Sequence, residues 1–371
     1  MVRDMSETDY YAMTMPGLET VAFDEIRAQI AGAHLVKFAR GVVIFQAPAS
    51  PVELLRLRTT EDVFVQVAHV TKLARVAGAL RVLHSATLRA DLPAALAQWR
   101  RVHAGKSGAG GVAPRTWRVV SQMEGDHEFR RIDAGKAVSD ALRNILPKEM
   151  RVVPDDADVE FWLWLHGSEA LIGLRLSDAT MRHRQYKREH LPASLRPTVA
   201  ASLAWLSQPD PTDVVLDPLC GAGTILVERS LLAPAERVLG GDLRADAVEV
   251  ARRNARAASV TLDLRAWDAT KLPLPDASVT RIITNLPFGK QIGAPEDNAR
   301  LYPALAREFA RVVTPDGLIV AITSADRLWN TALRDHGWQT TKKVVVVVLG
   351  QPASIFVARR AGAEVPSSGM G

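Results

Sequence analysis

Four short stretches in the second half of the chain place acidic, amide and glycine residues where an apolar strand gives way to a turn. The first is Asp217-Pro218-Leu219-Cys220-Gly221-Ala222-Gly223-Thr224, between the apolar run Val214-Val215-Leu216 and the helical-looking segment Ile225-Leu226-Val227-Glu228. Its glycines let the backbone pass close to a ligand or adopt a positive φ, and the helix start behind them offers free N–H groups. An ordinary strand-to-helix turn is the alternative, but three further stretches follow in the order that a nucleotide-binding α/β sheet requires.

Acidic residues end the next two predicted strands. Asp242, followed by Leu243, lies about twenty residues past the glycine turn, where a carboxylate is placed to hold ribose hydroxyls. The alternative role for Asp242 is a helix N-cap. Asp268 is placed to accept a hydrogen bond from an adenine amino group, and Ala269 to supply a backbone N–H, with an Asx-turn as the alternative.

The stretch Asn285-Leu286-Pro287-Phe288-Gly289 ends the fourth predicted strand. The side-chain carbonyl of Asn285 and the backbone carbonyl of Leu286 are both acceptors, so together they can hold a planar exocyclic amine while Phe288 stacks on its ring. Two accepted N–H bonds favour a pyramidal nitrogen with its lone pair directed outward. Because an amide does not titrate, Asn285 cannot be a general base. A plain loop is the alternative, and the position after the fourth strand favours chemistry.

The elements that must position these residues alternate between strands and helices from residue 191 onward, which predicts a parallel, doubly wound sheet. Helices are predicted at residues 245–258 and 301–313, among others. The last two strands are separated only by Gly350-Gln351-Pro352, and so short a connection forces an antiparallel hairpin. The strands are predicted at residues 214–217, 237–242, 260–265, 280–285, 317–323, 343–349 and 354–358.

Length and composition limit the classes of protein to consider. The chain has 371 residues, enough for two or three domains, and its formal net charge of +5 permits a polyanionic partner. One cysteine excludes an internal disulfide framework. No apolar run reaches the length of a membrane span, and the charged N-terminus lacks the apolar core of a signal peptide. We expect a cytoplasmic, monomeric protein without a metal centre.

The first half of the chain predicts two smaller α+β units, residues 1–70 and 71–178. The second contains an amphipathic helix at residues 133–146. Residues 362–371 are predicted to be a flexible tail. Because the alternating sheet lies entirely in the second half, we expect a chain that starts near Met181 to fold by itself.

A basic segment, residues 179–194, separates the two halves. Cationic side chains surround a single tyrosine there, namely Arg182, His183, Arg184, Lys187, Arg188 and His190 around Tyr186. Such a strip can contact nucleic-acid phosphates while the tyrosine stacks on a base. A solvated linker is the alternative.

These motifs resemble those of class I S-adenosylmethionine-dependent methyltransferases. Residues 285–288 resemble the Asn/Asp-Pro-Pro-Tyr/Phe motif of enzymes that methylate exocyclic amines of bases. The first half resembles the ferredoxin-like and THUMP regions of tRNA methyltransferases, through its layout and through Asp133-Ala134-Gly135-Lys136-Ala137-Val138. The whole chain is most similar to THUMP-containing tRNA guanine-N2 methyltransferases, which match residues 217–224 and 285–290 well.

The resemblance implies an α/β fold class with a Rossmann-like methyltransferase domain at residues 195–361. Its mostly parallel seven-stranded sheet would end in an antiparallel hairpin. A ferredoxin-like domain at 1–70 and a THUMP RNA-binding domain at 71–178 would precede it, joined by the basic linker 179–194.

The resemblance also implies the activity, which is direct in-line transfer of a methyl group from S-adenosylmethionine to the N2 amine of a guanosine in tRNA, at acceptor-stem position 6. The residues implied to be catalytic are Asn285, Leu286, Pro287 and Phe288. The residues implied to contact tRNA are Arg182, Arg184, Tyr186, Lys187, Arg188 and Lys290. The cofactor would be held by Arg196, Pro197 and Thr198, in a helix resembling one that walls the cofactor in this family, and by Asp217, Leu219, Cys220, Gly221, Ala222, Gly223, Thr224, Asp242, Leu243, Asp268, Ala269 and Asn285.

Leu286 and Cys220 bear on which methylation reaction the chain would catalyse. Leu286 stands where the family motif more often has its first proline, but the backbone carbonyl survives that change, so we expect activity to survive. Cys220 lies in the cofactor turn and not beside the target base, which disfavours cytosine-C5 or uracil-C5 methylation and predicts a small buried filler. An adenine-N6 or other RNA or DNA amino-methyltransferase stays open, as does a catalytically inactive RNA-binding protein.

Overall fold

A computed structural model describes residues 7–48, 51–104, 113–192, 194–288, 295–348 and 350–362 of the chain. The chain divides into two compact units. The first contains the residues up to Met13 and Ile26–Met181, and the second contains Thr14–Glu25 and the residues from Arg182 onward. The predicted tail lies outside the described residues from position 363.

The first unit is built on one mixed sheet. In chain order, the elements of the first half are β1 (Glu7–Met13), α1 (Glu19–Gln29), β2 (His34–Ala39), β3 (Val42–Pro48), α2 (Pro51–Leu54), β4 (Asp62–Val70), α3 (Ala79–Leu88), α4 (Leu92–His103), β5 (Thr116–Glu124), α5 (Arg131–Ile145), β6 (Arg151–Val152), β7 (Val159–His166), β8 (Glu169–Arg175) and α6 (Ala179–His183). The strands lie in the order β2-β3-β1-β4-β8-β7-β5-β6. Strands β4 and β8 pair antiparallel, with Phe64 opposite Arg175, so strands of the predicted domains 1–70 and 71–178 share a sheet. The boundary between those domains stays a prediction.

The helix predicted at residues 133–146 corresponds to α5, whereas β2 and α3 have no counterpart among the predicted elements. The side chains of β2 are almost all exposed at the edge of the sheet, so no alternation of apolar and polar residues marks this strand in the sequence. Helix α3 buries Leu83 and Thr87 completely and carries an apolar face, but it lies in a stretch to which the sequence analysis assigned no element.

The second unit is built on a mostly parallel sheet. Its elements are α7 (Pro197–Leu206), β9 (Val214–Asp217), α8 (Thr224–Leu232), β10 (Arg237–Asp242), α9 (Ala245–Ala257), β11 (Asp263–Ala266), β12 (Val279–Asn285), α10 (Pro295–Val312), β13 (Val313–Thr323), α11 (Asp326–Asp335), β14 (Trp338–Val348) and β15 (Gln351–Arg360). The described strands lie in the order β11-β10-β9-β12-β13-β15-β14, parallel from β11 to β13 and antiparallel at β15 and β14. The predicted doubly wound sheet with a closing hairpin is therefore confirmed.

Both faces of this sheet are covered, as its parallel strands require. Successive residues of β12 point to opposite faces, so Ile283 joins an apolar core with α7, α8 and α9, whereas Ile282 joins a second core with α10 and α11. Strand β13 divides in the same way, with Val320 in the first core and Ile319 in the second. None of the described helices combines the length and the apolar character needed to cross a membrane.

Residues at the beginning of α1, and the residue just before it, belong to the core of the second unit. Leu18 and Val21 are fully buried there, in one apolar cluster with Val199 and Leu203 of α7. A chain that starts near Met181 keeps all seven described strands of this sheet but lacks two side chains of its apolar core, and whether it folds by itself stays a prediction.

Candidate active site

A pocket of about 380 Å³ lies at the carboxyl ends of β9, β10 and β12 in the second unit. That volume suits a ligand of nucleoside size. The four predicted stretches meet in its lining, as expected for the ends of parallel strands at one edge of a sheet. Those of the predicted residues that line it are Asp217, Leu219, Cys220, Gly221, Ala222, Thr224, Asp242, Leu243, Asp268, Ala269, Asn285, Leu286, Pro287 and Phe288.

Backbone hydrogen bonds hold the glycine turn between β9 and α8, one within the turn and one to β10. The N–H of Gly223 donates to the carbonyl of Cys220 at 2.8 Å, and the N–H of Cys220 donates to the carbonyl of Gly241 at 2.8 Å. Gly221 and Gly223 have φ angles of 49° and 75°, in the left-handed region that strains other residues. A Cβ on Gly223 would stand 2.9 Å from the Cβ of Ala251, so Gly223 shapes the turn without lining the pocket itself.

Cys220 is buried in the core beside the pocket, as predicted. Burial, with the carboxylates of Asp217 and Asp242 adding to it, raises the pKa of the Cys220 thiol well above its ordinary value. The thiol is therefore protonated at neutral pH, which argues against a thiolate nucleophile.

Asp242 at the end of β10 joins two neighbouring segments. Its Oδ2 accepts from the N–H of Gly221 at 3.0 Å, and its Oδ1 accepts from the N–H of Arg244 at 3.0 Å. Helix α9 has its N-cap at Arg244, so Asp242 supports the residue before the helix and is not the N-cap itself. Leu243 beside it is 76% exposed at the pocket, and such an apolar side chain suits one face of a planar ring.

Asp217 at the end of β9 lines the pocket although its side chain is buried. Its Oδ1 accepts from the hydroxyl of Thr284 at 2.8 Å and from the N–H of Leu219 at 3.2 Å. Burial, to which the nearby Asp242 carboxylate adds, raises the pKa of Asp217 to about 7 against the opposing effect of these hydrogen bonds. Asp217 therefore titrates near neutral pH, and a cationic ligand group would favour its ionised form.

The stretch after β11 combines a local turn with a long-range contact. Oδ1 of Asp268 accepts from the N–H of Thr270 at 2.8 Å and from its hydroxyl at 2.7 Å, and these bonds lower the pKa of Asp268. The Asx-turn is thus present, and Asp268 lines the pocket as well. The buried Trp267 donates from Nε1 to the carbonyl of Pro218 at 3.2 Å, and a Cβ on Gly241 would stand 2.2 Å from this indole. Trp267, which no sequence motif marks, thus ties the end of β11 to the end of β9.

The stretch after β12 continues the pairing of that strand. The N–H of Leu286 donates to the carbonyl of Ile322 in β13 at 3.0 Å. A proline, the commoner residue in the motif that this stretch resembles, has no N–H for this bond. Leu286 is buried, and Asn285 and Phe288 are half-buried at the pocket. Lys290 lies outside the described residues.

The wall of the pocket before α7 differs from the prediction. Arg196 is exposed, Pro197 and Thr198 are buried in the first turn of α7, and the pocket lining contains none of the three. The physical reason is that Pro197 opens α7, whose residues pack into the core of the sheet. The lining residues that sequence reasoning missed are Leu191, Pro192, Ser194, Leu195, Ile225, Arg244, Ala247, Leu301, Val348 and Gln351. Those before α7 lie in an irregular segment, where no periodicity marks the side that faces a ligand.

The tyrosine of the basic segment is part of the protein interior. Tyr186 is 6% exposed, and its hydroxyl donates to Oε1 of Glu228 in α8 at 2.7 Å. The expectation that its ring is available to stack on a base is therefore wrong. Arg184 also donates from Nε to Glu228 at 3.3 Å. The physical cause is the carboxylate of Glu228, which is completely buried and requires donors.

The remaining cations of the segment differ in exposure. Lys187 is buried and donates from Nζ to the carbonyl of Leu195, which contradicts its predicted contact with tRNA. Burial lowers the pKa of Lys187 to about 8. Arg188 is exposed and Arg182 half-buried, and both stay candidates for phosphate contacts.

Comparisons with known proteins agree with this site. A family model described as "RMKL-like, methyltransferase domain" matches residues 184–351. The chain is 32% identical over 261 residues to tRNA (guanine(6)-N(2))-methyltransferase THUMP3 of Mus musculus. This alignment covers 66% of this chain and 51% of the mouse protein. The chain thus spans about half the length of this relative and of the proteins of the same name from Bos taurus and Homo sapiens. It is 30% identical over 329 residues to the tRNA (guanine(6)-N2)-methyltransferase of Thermus thermophilus, which covers 87% of this chain and 91% of that protein.

The fold agrees as well. The crystal structure of TrmN from Thermus thermophilus matches with a TM-score of 0.76 and 26% identity, covering 95% of this chain and 99% of that chain. The predicted class I methyltransferase fold is confirmed by this match and by the order of the strands. The chain belongs to the family of tRNA guanine-N2 methyltransferases.

Proposed function

We propose that this protein transfers a methyl group from S-adenosylmethionine to the N2 amine of a guanosine in tRNA, at acceptor-stem position 6. The observation that carries the proposal is one pocket lined by the glycine turn, Asp242 and residues 285–288 together. A methyl donor and an exocyclic amine must meet within a single cavity, and this lining supplies groups suited to each. The mouse and Thermus thermophilus relatives, named tRNA (guanine(6)-N2)-methyltransferases, support the choice of nucleotide.

The residues of the pocket fit S-adenosylmethionine. Gly221 lines the pocket with a positive φ, and the space that a Cβ would fill there is open, as a closely approaching ligand requires. We assign the ribose hydroxyls to Asp242, and the adenine amino group to Asp268 with the Ala269 N–H. The buried carboxyl of Asp217 suits the positive charge of the ligand. When bound, S-adenosylmethionine would supply the methyl group as an electrophile on its sulfur: the S–CH3 bond breaks as the N–CH3 bond forms, S-adenosylhomocysteine is the product left in the pocket, and the methylated amine releases one proton to solvent.

We assign the target amine to the stretch after β12. The side-chain oxygen of Asn285 and the carbonyl of Leu286 accept its two N–H bonds, and Phe288 stacks on the base. Asn285 does not titrate, so its contribution is orientation of the nitrogen lone pair and not proton abstraction. Such positioning lowers a barrier by several kcal/mol, and a guanine in a stem must first leave its stack.

We assign tRNA affinity to phosphate contacts. The candidates are the half-buried Arg182, the exposed Arg188 and the first unit, which includes the proposed ferredoxin-like and THUMP domains. The formal net charge of +5 favours a polyanion. Because such contacts release counterions, tRNA affinity of the full chain should fall steeply with salt, while cofactor affinity changes little.

The test is methylation of an unmodified tRNA transcript that has guanosine at position 6. Full-length protein and S-adenosylmethionine should form N2-methylguanosine, identified by mass spectrometry of nucleosides and located by nuclease fragments. A transcript with adenosine at position 6 should accept no methyl group there. Asn285→Ala should slow transfer by about 100-fold or more, as for loss of a positioned polar contact, with cofactor affinity close to wild type.

One control variant and the identity of the product separate this function from its alternatives. Asn330→Ala, which removes an amide that accepts from Thr340 in the second unit, should leave transfer unchanged. Formation of N6-methyladenosine would assign the protein to the adenine methyltransferases. Bound cofactor without any methylated nucleoside would indicate an inactive RNA-binding protein. Equal loss of affinity and transfer in Asn285→Ala would mean that residues 285–288 are structural.

A further inference from the structure

The carbonyl of Pro287 is held by two side chains of α10. The hydroxyl of Tyr302 donates to this oxygen at 2.7 Å, and Nδ2 of Asn298 donates to it at 2.9 Å. Tyr302 is fully buried and Asn298 is 3% exposed, so bulk water does not compete with either side chain for the Pro287 carbonyl. Two buried donors therefore converge on one backbone oxygen of the stretch that lines the pocket.

The hydrogen bonds around Tyr302 can run in only one direction. The Pro287 carbonyl can only accept, so the single hydroxyl proton of Tyr302 is directed to it. Oγ1 of Thr323, 2.7 Å from the Tyr302 oxygen, must then donate to Tyr302, while it accepts from the N–H of Ala325 at 3.0 Å. Burial raises the pKa of Tyr302 to about 12, so the hydroxyl keeps its proton at neutral pH. No alternative proton arrangement competes, and the Pro287 peptide is held in one orientation.

The same stretch is fixed at Leu286. Its N–H is bound to the carbonyl of Ile322, and Pro287 has no N–H. The Pro287 oxygen is occupied by two donors. Within the described residues, the Leu286 carbonyl accepts no hydrogen bond. The backbone acceptor that these two residues leave for a ligand is therefore the Leu286 carbonyl.

We propose that Tyr302 and Asn298 are positioning residues for methyl transfer, holding Pro287 so that the Leu286 carbonyl and Asn285 keep the spacing that the target amine requires. The identity of the target amine rests on the proposed function. The hydrogen bonds to the Pro287 carbonyl do not depend on it. Tyr302 and Asn298 act through the backbone and touch no reacting atom. Thr323 orients Tyr302 from β13, so the stretch is tied to the strand that neighbours β12.

Tyr302 also has a structural role, which the test must separate from positioning. Its ring lies edge-on to Trp329, with ring centroids 5.6 Å apart, in the core between the sheet and α11. Tyr302→Phe keeps this packing and removes only the hydroxyl. Asn298→Asp keeps the side-chain shape but replaces the donor by an acceptor. A structural role predicts lower stability with unchanged kcat, whereas positioning predicts a lower kcat with unchanged cofactor affinity.

The experiment compares full-length wild type with Tyr302→Phe, Asn298→Ala and Asn298→Asp. We expect kcat to fall about 10- to 100-fold in each, as for a small misplacement of a reacting group, with Kd for S-adenosylmethionine and KM for tRNA near wild type. Asn298→Asp should not recover the activity lost in Asn298→Ala. Hydrogen exchange at residues 282–288 should accelerate in all three variants without cofactor or tRNA, which reports on the stretch independently of activity.

Thr280→Val is the matched control, since the Thr280 hydroxyl bonds Asp213 and the Val214 N–H at the opposite end of β12. It should lower stability while kcat and exchange at residues 282–288 stay unchanged. Unchanged kcat in Tyr302→Phe and Asn298→Ala, with exchange like wild type, would overturn the inference. Failure of wild type to form N2-methylguanosine would instead overturn the proposed function, and faster exchange in the variants would still support the Pro287 contacts.

Discussion

The carboxylate of Asp242 accepts a hydrogen bond from the backbone N–H of Gly221 at 3.0 Å, so the acidic residue that ends β10 also holds the glycine turn after β9. Its other oxygen holds the N–H of Arg244 before α9. A ligand bound by this carboxylate is therefore bound to a group that is already fixed on both sides. The same carboxylate contributes to the raised pKa of Asp217, which also lines the pocket.

Substitution of Asp242 should weaken cofactor binding. Asp242→Ala removes a charged acceptor worth about 1.5–3 kcal/mol, so affinity for S-adenosylmethionine should fall by roughly one to two powers of ten. Asp242→Asn keeps an oxygen that accepts from the N–H of Gly221, so its affinity for S-adenosylmethionine should lie between those of wild type and Asp242→Ala. Calorimetry measures both. Asp263→Ala, at the start of β11, removes a half-buried acid that pairs with Arg237 and Arg265 and should leave affinity unchanged. Unchanged affinity in Asp242→Ala would remove this residue from the site.

The raised pKa of Asp217 predicts that stability falls as pH rises from about 4 to about 7. The unfolded chain releases this proton near the ordinary pKa of 3.8, whereas the folded protein holds it up to a pKa of about 7. Within that window the folded state binds the extra proton, so raising the pH lowers the free energy of unfolding, and the loss is complete above pH 7.

Asp217→Asn tests this dependence, because an amide still accepts from Thr284 but cannot ionise. The variant should show a flatter profile and a higher free energy of unfolding at pH 8, by on the order of a few kcal/mol. Denaturant unfolding at pH 5 and pH 8 for both proteins gives the comparison. Parallel profiles would mean that Asp217 is ionised throughout.

Substitution of Gly223 by alanine should lower the free energy of unfolding by more than the strain of its positive φ angle accounts for. Gly223→Ala and Gly337→Ala both force alanine into the left-handed region, at φ of 75° and 77°, for about 1–2 kcal/mol. Only Gly223 adds a contact, 2.9 Å from the Cβ of Ala251, while the space at Gly337 is open. We expect an additional loss of about 1–3 kcal/mol at Gly223 by denaturant unfolding, together with weaker cofactor binding. Equal losses would show that the turn yields to the added methyl group.

The position of Leu18 predicts that the stability of the second unit depends on the segment that leads into α1. Leu18→Ala in the full chain should lower the free energy of unfolding by about 2–5 kcal/mol, as for a buried leucine. Leu231→Ala, at a 38% exposed site on α8, should change it by about 0.5 kcal/mol or less. A chain that starts at Met181 should lose cooperative thermal unfolding. A soluble, cooperatively folding chain of that length would contradict this reading of the core.

The sequence by itself determined the sheet of the second unit and the edge at which its polar residues meet. Bounds predicted for β9 and β10 agree with the structure, because each is a short segment with apolar residues that ends in an acidic residue. The carboxyl ends of parallel strands share one edge, so strand order alone was enough to gather Asp217, Asp242 and Asn285 at one pocket.

Only the tertiary structure decided contacts between segments that are distant in the chain. The hydroxyl of Tyr186 is bound by Glu228, and the Pro287 carbonyl by Tyr302, and no local pattern in the sequence links either pair. Likewise, Leu18 has the spacing of a helix that buries one face, but nothing in that spacing says which core receives it. Periodicity reports that a face is apolar, whereas its partner is chosen by packing and by the cost of leaving a buried polar group without a hydrogen bond.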